Sequence, residues 1–203
     1  MTVRSRCLIA VALMALAGCR SSGEIVIDES IGITAVRGTC PAVGIPDYTG
    51  DITLFYPGGG KSAAEIDVVA AMTNVRSQCD DGKTNGSGKV YSTATFDVLA
   101  RRTDTRGARQ VALPYYVTVL RGGSAVVSKR IGQVTVNFAD GQDRAKGQGQ
   151  GSAYIDRSEA TLPQDIQDRI MRKRRAGDEY ADIDPLTEPD VKAAVTRSSF
   201  ELL

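Results

Sequence analysis

Few residues in this chain have the type and spacing of a catalytic or ligand-binding group. The sequence contains no histidine, which excludes the Ser-His-Asp and Cys-His routes to an activated nucleophile and the commonest zinc sites. Residues 56–62 end in Gly-Lys-Ser like a phosphate-binding loop, but Phe55 stands where that motif requires its first glycine. Residues 147–151, Gly-Gln-Gly-Gln-Gly, are followed by Ser152 where a dinucleotide fingerprint has its third glycine, and we predict a flexible loop there. We therefore expect no catalytic site, metal site or cofactor.

The N-terminus has the composition of an export signal. Arg4 and Arg6 precede an apolar run at residues 8–17, which is shorter than the roughly 20 residues of a membrane span and has the length of a signal-peptide core. Leu-Ala-Gly-Cys at residues 16–19 closes the run and resembles the lipobox of bacterial lipoproteins. The resemblance covers residues 1–20 only, and it implies removal of residues 1–18 and a diacylglycerol on the Cys19 thiol. Because Arg20 follows in place of the Asp that favours inner-membrane retention, it also implies lipid anchoring in the outer membrane, facing the periplasm.

Two cysteines remain once Cys7 is removed with the signal and Cys19 carries lipid. In an oxidising periplasm, Cys40 and Cys79 are expected to form one disulfide. In the chain-entropy model, closing this loop stabilises the fold by roughly 4 kcal/mol. The alternative is a pair of unbonded buried thiols.

The pattern of residues 31–157 predicts a single all-β domain. Apolar runs alternate with Gly, Asn and Asp turns, at the spacing of an immunoglobulin-like or fibronectin-III-like sandwich. Residues 19–30 are expected to be a tether before this domain. In the clearest run, residues 90–101, the even positions are apolar except Ser92, so that face is predicted to point into the core. The predicted strands lie at residues 31–36, 51–56, 65–76, 89–101, 110–121, 124–138 and 152–156.

Gly122 and Gly123 separate two of these runs and predict a two-residue hairpin turn. That turn would place residues whose numbers sum to 245 opposite each other, for example Val119 opposite Val126. Arg130 would then face the core, so either its head reaches the rim or a bulge breaks the ladder nearby.

Residues 158–203 are predicted to form a helical, partly flexible extension. Residues 161–164 fit a capping box, and apolar residues recur at helical spacing, which predicts a helix over residues 162–174 and a shorter one over residues 187–195. A helix with so narrow an apolar stripe is marginal alone, so we expect the extension to dock, on a partner rather than on its own sandwich. A basic run is a candidate contact with a partner or with anionic lipid, the alternative being a solvated last helical turn: Arg172, Lys173, Arg174 and Arg175.

The mature chain is expected to be a non-enzymatic binding or structural module of the cell envelope, an accessory subunit of an outer-membrane or secretion assembly. With 25 basic and 24 acidic residues, it lacks the surplus of positive charge that nucleic-acid binding requires. Exposed strand edges or the C-terminal segment would contact the protein partner. The alternative is a small-ligand or glycan binder, although the chain has no tryptophan. Its candidate stacking residues are Tyr48, Tyr56, Tyr91, Tyr115 and Tyr116.

Overall fold

The computed structural model describes residues 38–83, 86–172, 177 and 183–203. Within them, helix α1 spans Gln164–Met171 and helix α2 spans Pro189–Ser198, with 3-10 turns at Ala63–Glu65 and Pro185–Thr187. The strand predicted at residues 31–36 lies outside the described residues. The eight strands are β1 (Ala42–Val43), β2 (Asp51–Phe55), β3 (Ile66–Asp80), β4 (Lys89–Arg102), β5 (Arg109–Arg121), β6 (Ala125–Phe138), β7 (Arg144–Asp156) and β8 (Phe200–Leu202).

The strands form two four-stranded sheets. Sheet A has the order β1-β8-β5-β6, and sheet B has the order β2-β3-β4-β7. Neighbours are antiparallel except β1 and β8, which are parallel. Buried side chains from β3 and β4 of sheet B and from β5 and β6 of sheet A join in one apolar cluster. The all-β class predicted from the sequence is therefore confirmed, with two short helices added.

Strand β4 shows how the sequence builds this core. All its even positions from 90 to 100 are buried, including Ser92. The period-2 pattern therefore identified the inward face correctly, because successive side chains of a strand point to opposite faces of the sheet.

The glycine-rich run at residues 147–151 is the middle of β7, so the prediction of a flexible loop was wrong. Gly147, Gly149 and Gly151 face the interior, where larger side chains from other strands fill the space. A Cβ at Gly149 would lie 2.3 Å from Cζ of Phe96, and one at Gly151 would lie 2.6 Å from Cγ2 of Val117. These glycines are required because side chains of the neighbouring strand β4 and of the opposite sheet already occupy the space where their own side chains would lie.

The β5–β6 hairpin differs from its predicted register. Val119 lies opposite Ser128, not Val126. The turn contains Gly122, Gly123 and Ser124, and the pairing shifts between Val119 and Leu120. A third turn residue and this irregularity explain the error, since turn length fixes register in a hairpin.

Arg130 is exposed to solvent, in keeping with the first of the two predicted alternatives, and no bulge lies beside it. It lies opposite Val117 on a part of β6 that is exposed, so its side chain does not enter the core. The shift in pairing occurs near the turn and not beside Arg130.

The C-terminal segment completes sheet A. Phe200 and Leu202 are buried, and β8 lies between β1 and β5. The expectation that the extension docks on a partner was wrong for this strand, because its backbone supplies the pairing between β1 and β5.

The helices pack on each other beside the sandwich. Ile166 of α1 and Val191 of α2 are buried in one small apolar cluster. Helix α1 is shorter than predicted and has no capping box, because the Thr161 hydroxyl donates to the Arg157 carbonyl instead, at 2.6 Å. No helix among the described residues has the length and hydrophobicity needed to cross a bilayer.

A disulfide joins Cys40 and Cys79, as predicted, with Cα atoms 6.1 Å apart. Cys40 lies just before β1 of sheet A, and Cys79 lies near the end of β3 in sheet B. The bond therefore links the two sheets covalently, and the alternative of two free thiols was wrong.

Candidate functional site

Strand β6 forms one edge of sheet A, and its two halves differ in burial. Val134, Val136 and Phe138 alternate inward in the second half and are buried. Residues 125–131 are exposed on both faces. The first half of β6 therefore extends past the core with only β5 beside it.

The backbone of this half offers unused hydrogen-bonding groups. Thr118 of β5 exchanges hydrogen bonds of 2.7 and 2.8 Å with Leu203, so its N–H and C=O point away from β6. Lys129 lies opposite Thr118. Because backbone groups alternate in direction along an antiparallel ladder, those of Lys129, Ile131 and Gln133 point to the open edge. In the part of the chain that the structure describes, no strand pairs with β6 on that side.

Apolar side chains surround this edge. The exposed fractions are 79% for Ile131, 64% for Val126 and 51% for Val127, and Tyr116 of β5 lies opposite Ile131. We call these four residues the β6 patch. Apolar side chains clustered on an unpaired edge are unusual in monomeric proteins and typical of interaction surfaces.

The charge beside the β6 patch is positive. The Lys129 ammonium lies 4.5 Å from the centre of the Tyr116 ring, a cation–π arrangement. Arg130 projects from the opposite face of the same strand. Neither side chain forms an ion pair with any described residue. The edge is thus suited to a segment that carries acidic as well as apolar side chains.

The other side of β5 shows how this fold blocks an edge. Beyond its short pairing with β8, β5 has no neighbour on that side among the described strands. Like Thr118, Pro114 has its backbone groups directed to the side of β5 away from β6. Because proline has no N–H, this edge lacks a hydrogen-bond donor at position 114. Proline at such a position prevents the addition of a strand. Residues 125–133 of β6 contain no proline, so the two edges differ in their capacity to pair.

The sequence-based site residues are dispersed. Cys19 and three of the basic residues, Lys173, Arg174 and Arg175, lie outside the described residues, and Arg172 is exposed at the end of α1. The five tyrosines do not converge on one surface. Tyr115 and Tyr116 line an apolar cavity of about 250 Å³ between the sheets. The other three lie elsewhere: Tyr48 in an exposed turn, Tyr56 hydrogen-bonded to Thr103, and Tyr91 against Tyr154.

The β6 patch was not predicted from the sequence, although the spacing of apolar residues in β6 indicates it. The inward positions of the second half are even, whereas Val127 and Ile131 are odd. Apolar residues out of phase with the buried face of their own strand indicate a second apolar surface.

No family model, no curated protein and no solved structure matches this chain. Among the described residues, no group of three or more potential metal-ligating side chains comes together. The geometry of the β6 edge is thus the principal guide to function.

Proposed function

We propose that this chain is a non-enzymatic binding module of the cell envelope, anchored in the outer membrane by lipid on Cys19, that docks an extended segment of an envelope protein on the edge of β6. The observation that carries the proposal is the exposure of Ile131 and its neighbours beside an unpaired backbone. An immunoglobulin-like or fibronectin-III-like arrangement of the sandwich is part of the same proposal.

Docking would proceed by strand addition. The outward groups of Lys129, Ile131 and Gln133 would pair with the backbone of the incoming segment, and the β6 patch would cover its apolar side chains. Lys129 and Arg130 favour a segment with acidic residues. Tethering to the same membrane as the partner would raise the effective concentration of the module.

Site-specific photocrosslinking in intact membranes tests this contact. A photoreactive amino acid at position 131 is expected to give one discrete crosslinked protein, and the same group at position 99 is the control, since Leu99 is 52% exposed on β4 of the other sheet. A crosslink of equal yield and identity from both positions would contradict the docking site.

Gln133→Pro supplies the matching loss-of-function variant. The change removes an N–H that points away from β5, so the β5–β6 hairpin should persist while strand addition fails. Pro114 prevents pairing at the free edge of β5 in the same way. We expect the position-131 crosslink to disappear while the thermal unfolding transition remains. A position-131 crosslink that survives both Gln133→Pro and Val126→Lys would refute the proposal.

A further inference from the structure

The outer face of sheet B carries a row of polar and aromatic side chains that the β6 edge does not use. The odd positions of β4 face outward here, opposite the even positions of β7. From one end to the other, the paired residues are Tyr91 with Tyr154, Thr93 with Ser152, Thr95 with Gln150 and Asp97 with Gln148. We propose that this face binds a linear glycan.

One end of the row is an aromatic platform. The rings of Tyr91 and Tyr154 lie 4.6 Å apart and 32° from parallel. Hydrogen bonding by Thr93, and then by Ser152, lowers the pKa of Tyr91. Tyr154 is 64% exposed, which leaves a ring available for the apolar C–H face of a sugar.

The other end is a polar depression of about 370 Å³, formed where the pairing of β3 shifts between Thr73 and Arg76. Asp97 is one of the residues that line it and is itself buried. Its carboxylate accepts hydrogen bonds from Asn74 at 2.7 Å, Lys146 at 2.9 Å and Gln148 at 3.1 Å. The amides of Asn74 and Gln148 are therefore held in fixed orientations.

This arrangement leaves groups suited to hydroxyls at the surface of the depression. Because Asn74 and Gln148 use their N–H groups on Asp97, their carbonyl oxygens remain as acceptors. Arg76 lines the depression and forms no ion pair with the described residues, so its guanidinium supplies donors. Lys146 neutralises the Asp97 charge. The two amide acceptors and the Arg76 guanidinium together favour a hydroxyl-rich ligand.

The distance between the two ends indicates an elongated ligand. Tyr91 and Asp97 are six positions apart on one strand, which is about 20 Å at 3.3 Å per residue. A single sugar cannot contact both ends, whereas a chain of several sugars can. A peptide fits this face less well, because β4 is already paired on both sides and has no backbone groups to offer.

Titration of the full chain with chitohexaose, cellohexaose and an oligogalacturonate tests the proposal, read from backbone amide shifts in a ¹⁵N spectrum. At least one glycan is expected to shift residues of both ends together. Tyr154→Ala should weaken that binding about tenfold or more, whereas Tyr154→Phe should retain it, because contact with a sugar needs the aromatic ring and not its hydroxyl. Gln148→Ala should weaken it from the other end.

Tyr48→Ala is the control, because Tyr48 is an exposed tyrosine outside this face. The absence of shifts with all three glycans at millimolar concentration would overturn the proposal, and so would equal losses in Tyr48→Ala and Tyr154→Ala. Ile131→Lys should leave glycan binding unchanged, which separates this site from the proposed docking edge.

Discussion

Replacing Arg102 tests most directly how the loops at one end of the sandwich are held together. It is 2% exposed at the end of β4. Its guanidinium donates to four backbone carbonyls at 2.8 to 2.9 Å: those of Thr105, Gly107, Ala139 and Gln142. Two belong to the β4–β5 connection and two to the β6–β7 connection, so one side chain fastens both loops at the same end of the sandwich.

The expected cost of losing this side chain is large. A hydrogen bond to a charged group contributes about 1.5–3 kcal/mol net, so four would give about 6–12 kcal/mol if they were independent. They share one group, and carbonyls of exposed loops regain water after the change, so the loss should be smaller than that sum. For Arg102→Met we expect a loss of about 4 kcal/mol or more, a large part of the 5–15 kcal/mol typical of a domain.

Urea unfolding followed by circular dichroism, with the disulfide intact, measures this loss. Arg106→Met is the matched control, because the Arg106 side chain is 89% exposed and pairs only with nearby Asp104. The control should change stability by no more than about 0.5 kcal/mol. If Arg102→Met does not fold, Arg102→Lys, which keeps the charge but not the four-way geometry, should fold with reduced stability. A loss below about 1 kcal/mol in Arg102→Met would refute the reasoning.

Three further predictions concern the chain end, pH and the lipid. Ending the chain at Ser199 removes β8 with its buried Phe200 and Leu202, and we expect loss of the cooperative thermal transition; an unchanged transition would show that β8 is dispensable. Hydrogen bonding, first from Asn74 and then from Lys146 and Gln148, lowers the pKa of Asp97 from 3.8 to about 2. Its contribution to stability should be complete above pH 4 and lost as pH falls towards 2, so the acid dependence of the free energy of unfolding should be shallower in Asp97→Asn than in the wild type. Cys19→Ser should abolish incorporation of a fatty-acid probe in cells, and equal labelling of both proteins would contradict lipidation.

The sequence was sufficient to predict those parts of the fold that depend on the residue pattern within a single strand. The alternation from Val90 to Ala100 identified the inward face of β4, because burial of one face imposes a period of two. The disulfide was predicted because only two cysteines remained after the N-terminal ones were assigned. Neither prediction needed knowledge of neighbouring strands.

The errors occurred where another part of the chain decides the outcome. Gly149 was assigned to a loop because glycine is common in loops. Glycine is required at this position because a Cβ there would lie 2.3 Å from the Phe96 ring. The three residues of β8 are too few to show a period, and only their position between β1 and β5 makes them a strand. The outer face of sheet B shows the same limitation. Tyr91 was selected from the sequence, but Tyr154, which lies beside it on the neighbouring strand, was not.

The position of β8 also determines when this protein can fold. Val43 in the first described strand pairs with Leu202 in the last one. Sheet A therefore remains incomplete until residues 200–202 are available, whereas all four strands of sheet B lie before residue 157. Contacts between such distant residues are slow to form because a long loop must close first. Until β8 is available, the apolar residues that pack against Phe200 and Leu202 are uncovered, which favours aggregation of the emerging chain.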